Sequence, residues 1–479
     1  MKKRHALLAC AVAFTCATGA MLPVTHAAIR QDAEKAVDRQ MQEARQTASS
    51  ADVAKQLAHS HVKLTDAWTV PGASLSIQRV KKLIPDLKND TVDVAVLAKQ
   101  LAAYNHRHAP RIHVDFRPDK AQEGAWVAVV RTSQGKAGGG NWSLSFDNNG
   151  SPYTGEARAT LTYQNSDATG HGDTLGAAFV TSPDHPDRVL QGAAAYRWTL
   201  PKSGDAVTVS ASYSEVKLDD LAEGYPFDIA SSGKSTRIGL AYEHALEDHA
   251  ASGSSIELGL DYHRSDSDAQ LKIAGLTVPL VDYGFDHVDA TLAWQGRRQM
   301  RRDQFRWRAG LQANLTGSED DFHEMTAGSD RRYLIWHGDV SEWRRLPADW
   351  LLAARASGQY TSQTLIGCER FGAGGRSSVR GFDENIRTAD TGASGTLELY
   401  TPELAKGLRL LAFLDGATLH GNGAGDGGLN LASTGLGLRY HTDTFQFTLD
   451  YAAILDEPDD VKHGTEGHRR WNVWGGCFF

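Results

Sequence analysis

Between Arg370 and Asn385 the chain reads Arg-Phe-Gly-Ala-Gly-Gly-Arg-Ser-Ser-Val-Arg-Gly-Phe-Asp-Glu-Asn, with four glycines and three arginines in one short stretch. Backbone this permissive can bring N–H groups against an anion, and arginine forks match the oxygens of a phosphate or a carboxylate. The spacing is not that of a phosphate loop, and no lysine–serine pair follows. Other residues able to do chemistry are dispersed. Ser377-Ser378 has no base at a recognisable spacing, and His106-Arg-His108 and His244 to His249 lack companion metal ligands and read as a helix end and a turn. The sequence therefore points to no enzyme, no metal and no cofactor. The arginine cluster needs a partner from the elements around it.

Composition limits what those elements are. Met1-Lys-Lys-Arg-His-Ala-Leu-Leu-Ala-Cys10 gives a basic start and then an apolar run, and Thr25-His26-Ala27 ends in a small-x-Ala site. Residues 1–27 thus read as a secretory signal peptide, with the mature chain starting near Ala28. Leu7-Leu-Ala-Cys10 faintly resembles a lipoprotein box, but the apolar run ahead of it is only a few residues long. No later apolar run approaches the roughly 20 residues of a membrane helix, and the mean hydropathy is −0.39. Cys368 and Cys477 alone survive processing, too few for a disulfide framework. The formal net charge of −8 is mild, and no basic block points to nucleic acid. Arg297-Arg-Gln-Met-Arg-Arg302, the densest cationic run, reads as a solvated turn.

Three unlike regions follow. In residues 28–65, Ile29, Ala33, Val37, Met41 and Ala44 form a thin apolar stripe at helical spacing, so this helix and its linker have little to bury. Residues 66–134 read as a small α+β module. Ser74 to Val80 alternates as a strand, Asp90 opens a helix carrying Val94, Leu97, Leu101 and Tyr104, and Arg111 to Phe116 and Ala125 to Val130 are two more strands. Residues 140–479 are a long succession of alternating strands. Phe445, Phe447, Leu449 and Tyr451 alternate with Gln446, Thr448 and Asp450, and Phe305, Trp307 and Ala309 with Arg306, Arg308 and Gly310.

About sixteen strands are expected, starting near residues 141, 155, 171, 190, 205, 234, 253, 286, 303, 330, 349, 391, 407, 430, 443 and 470. Their connections alternate between short (Asn165 to Gly170, Pro201 to Gly204, Arg345 to Ala348, Pro402 to Lys406) and long (Glu215 to Gly233, Ser265 to Tyr283, Leu455 to Arg469). An even strand count with tight turns on one side and long loops on the other predicts an all-β transmembrane barrel of the outer-membrane kind. The last strand ends on Phe479, expected to face lipid, as a barrel-assembly signal would. The two cysteines fall at opposite ends of the barrel, which excludes a bridge between them.

Against this layout the glycine- and arginine-rich stretch lies in the longest loop, residues 361–390. Phe371 to Phe382 there resembles the V-R-G-[YF] motif of the outer-membrane insertase and transporter superfamily. More narrowly it is similar to the two-partner secretion transporters, the TpsB family of haemolysin activators and filamentous-haemagglutinin exporters. Trp142 to Gly155 resembles that family's first barrel hairpin, Tyr104-Asn-His-Arg107 the end of its second POTRA domain, and Phe413-Leu-Asp-Gly-Ala417 its F-x-D-x-G strand, with the glycine one place early.

The resemblance implies a loop folded back into the barrel, with Gly374, Gly375, Arg376, Val379, Arg380, Gly381 and Phe382 as the transport motif and Asp415 as the carboxylate that pairs with Arg380. It implies location in the outer membrane of a Gram-negative bacterium, with a POTRA module in the periplasm. A secreted TpsA-type exoprotein would be the substrate: an adhesin, haemolysin or contact-dependent toxin, exported unfolded. Its capture would be by strand addition at Arg111, Ile112, His113, Val114, Asp115 and Phe116 or in the flanking helix groove. Lipid and the barrel-assembly machinery are the other expected partners, and no nucleic acid is. The family carries two POTRA domains where this chain has room for one, and the helix from Ile29 resembles its plug. A barrel-assembly factor inserting other outer-membrane proteins is the alternative.

Overall fold

The computed structural model describes residues 61–479 apart from 72, 108–110, 133–139, 152, 201–202, 219–226, 249–251, 274–275, 424–426 and 459–468. The expected signal peptide and the helix from Ile29 lie outside the described residues.

The first unit comprises β1 (His61–Thr69), α1 (Ile77–Leu83), β2 (Thr91–Asp93), α2 (Val94–Arg107), β3 (Ile112–Pro118) and β4 (Trp126–Thr132), with sheet order β2-β1-β4-β3. Strands β1 and β4 are parallel, and both other pairings are antiparallel. Leu64, Val80, Leu83, Ile84, Leu97, Ile112 and Val130 form its core.

Three expectations are corrected here. Ser74 to Val80 is no strand: the Ser76 hydroxyl accepts the Arg79 N–H at 3.3 Å and starts α1. That winding turns Val80, Leu83 and Ile84 into the core, so a helical spacing overrode a short run of alternation. Helix α2 is capped by Asp93, whose Oδ1 accepts from Ala95 and Val96 at 2.8 and 3.3 Å, and not by Asp90. Residues 61–65 are the start of β1 rather than linker, because Val62 and Leu64 alternate inward with the strand period.

The rest of the described chain continues with β5 (Asn141–Asp147), β6 (Arg158–Asn165), β7 (Thr174–Thr181), β8 (Val189–Thr199), β9 (Ala206–Leu218) and β10 (Phe227–Asp248). Next come β11 (Ser252–Ile273), β12 (Leu276–Gln299), β13 (Asp303–Asn314), α3 (Glu319–Met325), β14 (Leu334–Arg345) and β15 (Leu351–Tyr360). The last elements are β16 (Phe371–Ala373), β17 (Arg387–Ala389), β18 (Thr391–Tyr400), β19 (Leu408–His420), β20 (Gly428–His441), β21 (Phe445–Asp456) and β22 (Arg469–Phe478). All of them except α3, β16 and β17 form one closed antiparallel barrel of sixteen strands, sealed by β22 against β5. Trp142 and Phe479 exchange backbone hydrogen bonds of 2.8 and 3.0 Å at that seam. Closure leaves no strand edge in the barrel, which is what a sheet surrounded by hydrocarbon requires.

The rim holding Asn141 and Phe479 (the near rim) carries connections of up to eight residues, and the opposite (far) rim carries the motif loop and the stretch 315–333 but also the shortest link, between β11 and β12. Strands β10, β11 and β12 are longer than expected, at 22, 22 and 24 residues. Ser265 to Tyr283 and the described parts of Glu215 to Gly233 are therefore mostly strand rather than loop. Their ladder continues through polar pairs such as Asp268 with Asp282, where the apolar alternation that marks a membrane strand has stopped but backbone pairing has not.

The outer face is legible in register. Tyr242, Leu258, Leu292, Leu311, Trp336 and Tyr360 are successive cross-strand partners from β10 to β15. Leu258, Leu292 and Trp336 are 55, 47 and 55% exposed, an apolar band that only lipid can cover. One residue away, Glu257 turns inward to Arg308 at 2.7 Å, and Glu243 to Arg197 at 2.8 Å. The small unit is linked to the near rim by the ion pair of Arg79 in α1 with Asp167. Placing a cation in the lipid band as Leu258→Arg should cost about 2–4 kcal/mol at mid-membrane depth. The check is the denaturant midpoint in lipid vesicles; an unchanged midpoint removes this row from the lipid face.

Candidate functional site

The connection from β15 to β18 turns back on itself, and β16 and β17 pair as a short hairpin from Phe371 with Ala389 to Ala373 with Arg387. Its base is closed by Asp390, a fully buried carboxylate. The N–H groups of Leu365 and Asn422 each donate to it at 2.7 Å, and Arg370 Nε lies 3.3 Å away. Beyond Ala373 the chain needs conformations that a side chain resists. Gly374 has φ +109°, and a Cβ there would stand 2.6 Å from the Asp383 carbonyl oxygen. Gly381 has φ +100° and faces Ile454 of β21, whose Cγ1 would be 3.2 Å from an added Cβ. The hairpin tip is thus packed against the barrel wall.

Between these glycines Arg380 is only 3% exposed. Its Nε and Nη2 donate to the two oxygens of Asp415 on β19 at 2.7 and 2.8 Å, and its backbone N–H donates to the same carboxylate at 3.1 Å. Nη1 donates to Glu398 on β18 at 2.8 Å and lies 3.7 Å from Asp450 on β21. The guanidinium carbon sits 3.5 Å from the centre of the Phe413 ring, a cation–π contact. Arg439 on β20 pairs with Asp450 at 2.7 Å, Arg355 on β15 reaches Glu398 at 3.4 Å, and the Tyr400 hydroxyl donates to Glu398 at 3.0 Å. Three cations face three carboxylates, so the network is neutral as a whole. A single unmatched charge at this depth would carry a desolvation cost of several kcal/mol.

Strand periodicity explains why these groups meet. Asp415, Glu398, Arg439 and Asp450 each lie between outward apolar neighbours, so the same alternation that puts Leu414, Leu397 and Leu436 outside puts the charges inside. Val379 and Phe382, almost completely buried, flank Arg380 and pack with Ala417, Leu419 and Leu431. Arg376 donates from its N–H to Glu384 at 2.9 Å and from Nη2 to Thr448 at 3.1 Å, and lies over Trp474.

Residues 127–440 match the model of the haemolysin secretion/activation protein ShlB/FhaC/HecB family. The chain belongs to that family. It is 20% identical over 329 residues to the hemolysin transporter protein HpmB of Proteus mirabilis, an alignment covering 65% of this chain and 54% of HpmB. The chain therefore spans about half the length of that relative. Its fold is similar to CdiB from Escherichia coli, with a TM-score of 0.73, 18% identity and coverage of 87% of this chain and 76% of that one. CdiB from Acinetobacter baumannii gives 0.64 and 17%, covering 88% and 74%. BamA from Haemophilus ducreyi lacking POTRA domains 1–3 is more distant, at 0.50 and 13%, covering 87% and 85%.

Within this ShlB/FhaC/HecB-family barrel, the residues singled out in the sequence fall into three places. Gly374, Gly375, Arg376, Val379, Arg380, Gly381 and Phe382 are on the hairpin, with Arg380 against Asp415. Arg111 to Phe116 lie in or beside β3, one of the two edge strands of the small sheet. Phe479 is 70% exposed at the near rim. Sequence reasoning missed Glu398, Asp450, Arg439 and Arg355, whose only signal was a charge at an inward parity. Removing one partner as Asp415→Leu should destabilise the folded barrel by about 3–5 kcal/mol. The pair Arg380→Met with Asp415→Leu restores neutrality and should recover most of that loss. Denaturant midpoints of Asp415→Leu, Arg380→Met and the double variant check this, and a double variant as weak as the sum of the two singles contradicts the pairing.

Proposed function

We propose that this chain is an outer-membrane transporter that passes one large exoprotein, unfolded, through its barrel to the cell exterior. The observation that carries this reading is a motif hairpin held inside the lumen by Arg380, in a chain of the haemolysin secretion/activation family. A passive pore has no need of a loop tied across its interior by a buried ion network. A transporter does, because a plug fixed by polar contacts closes the lumen at rest and can exchange those contacts for others when a polypeptide enters. Arg380 and Asp415 would be the tether, with Glu398 and Asp450 as the carboxylates available to the arginine as the hairpin shifts.

In this reading the near rim faces the periplasm and the small β1–β4 unit is a POTRA-type domain that receives the substrate. Strand β3 is the edge, with Ile112 in the core and Val114 and Phe116 packed against it. An extended segment added along β3 would gain backbone hydrogen bonds that do not depend on its sequence, which suits a long exoprotein. The lumen charges Arg308, Glu257, Arg197 and Glu243 would keep the path hydrated. Phe479 serves assembly by the barrel-insertion machinery, and folding of the exoprotein outside supplies the direction of movement.

The test is comparative mass spectrometry of culture supernatant and outer membrane from cells carrying the chain, lacking it, or carrying Arg380→Ala. Loss of one large protein from the supernatant in the last two, with the variant barrel present in the membrane, is the expected result. A general fall in membrane barrels would instead make the chain an assembly factor, and unchanged secretion in Arg380→Ala would overturn the tether.

A further inference from the structure

A second cluster lies on the other side of the motif loop. His263 on β11, His287 and Asp289 on β12, and Glu369 at the start of the loop each place one ligand atom within 4.8 Å of all the others. His287 Nε2 is 3.5 Å from Asp289 Oδ2 and 3.6 Å from Glu369 Oε1, and His263 Nε2 is 4.0 Å from Asp289 Oδ2. Four nitrogen and oxygen ligands about 2.1 Å from a tetrahedral ion are roughly 3.4 Å from one another. The observed spacings are those of such a shell opened slightly.

We propose that these four side chains bind a divalent transition-metal ion of the zinc type. His287 and Asp289 are each 1% exposed. Neither ring nitrogen of His287, nor Nε2 of His263, has a hydrogen-bond partner among the described residues. Imidazole nitrogens turned toward two carboxylates at 3.5–4.0 Å, long for hydrogen bonds, leave the spacing that a ligand between them would fill. The carboxylates are oriented by donors of their own, Glu369 on the oxygen turned away from His287 and Asp289 on both of its oxygens. The Tyr333 hydroxyl donates to both Asp289 oxygens at 2.8 and 3.0 Å. The Gln312 amide donates to Asp289 Oδ2 at 2.8 Å and to Glu369 Oε2 at 2.7 Å, which leaves Glu369 Oε1 directed at His287. Two carboxylates with two neutral imidazoles carry the charge that a divalent cation cancels, and nearby Arg237 is already matched by Asp261 at 3.0 Å. Two imidazoles with two carboxylates suit zinc, nickel or cobalt better than calcium or magnesium.

Such an ion would pin the loop a second time. Arg380 holds the tip to β18, β19 and β21, whereas Glu369 would be held to β11 and β12, across the lumen. Binding of the ion is independent of any exported substrate, so its test does not depend on secretion.

The full-length protein in detergent is stripped with a chelator and dialysed against zinc or cobalt(II), and bound metal is measured by mass spectrometry and cobalt absorption. Heat-modifiable gel mobility confirms a folded barrel in each sample. The expected result is one ion per chain with the intense visible bands of tetrahedral cobalt. That ion should be lost in Glu369→Gln, a loop change that leaves the strands intact, and in His263→Gln with His287→Gln. Tyr333→Phe should keep the ion but weaken it about 10- to 100-fold. A folded parent without stoichiometric metal, as expected if His287 is simply an ion-pair partner of the two carboxylates, would overturn the proposal. Equal metal content in parent and Glu369→Gln would place the ion elsewhere and overturn it as well.

Discussion

A guanidinium buried inside a protein must be matched by negative charge, and Arg380 meets that requirement with carboxylates from three strands, Glu398 on β18, Asp415 on β19 and Asp450 on β21. The energetic stake is large because the site is enclosed: each charge left alone would cost several kcal/mol, whereas the full set of three cations and three carboxylates is neutral. The ion network therefore fixes the resting position of the loop together with the apolar cluster in which Val379 and Phe382 are buried. The glycines follow from the same constraint. To carry Arg380 to Asp415 the hairpin must press its backbone against Ile454 and Ala452, and a side chain at Gly381 would stand in the way.

A tether made of polar contacts differs in kind from one made of packed apolar surface. Ion pairs can be exchanged one for another along a charged wall, which the proposed transport would require of the loop. Arg439 and Asp450 already share the network, and Tyr400 steadies Glu398 from the side. In the proposed reading, the neighbouring carboxylates Glu398 and Asp450 would keep Arg380 matched as the hairpin shifts. The barrel itself stays fixed by backbone pairing around sixteen closed strands.

Much of this was legible in the chain, for reasons that differ by region. The barrel strands declared themselves because a sheet with lipid outside and water inside must alternate, as Phe445 to Tyr451 does. The hairpin was found because glycines with forced backbone angles and arginines are rare neighbours. The small domain was read less well. Leu75 and Ile77 alternate with polar residues over too short a window to separate strand from helix, and a serine cap decided the outcome. The far ends of β10 to β12 were mistaken for loops because pairing there outlasts the apolar pattern. The histidine–carboxylate cluster left only one local trace, His287 and Asp289 two residues apart on one inward face. Its other members come from segments that only the closed barrel brings together.

The central claim, that buried ion pairing holds the loop inside the barrel, is tested most directly by a distance across the lumen. Spin labels at Ser377 on the hairpin and Asp443 in a near-rim turn, in a chain with Cys368 and Cys477 replaced, can be measured by double electron–electron resonance in lipid. A single narrow distribution in the otherwise native chain, broadening when Asp415 is changed to Asn, is the predicted result. A distribution already broad in the native chain, or one that Asp415→Asn leaves unchanged, would contradict the account.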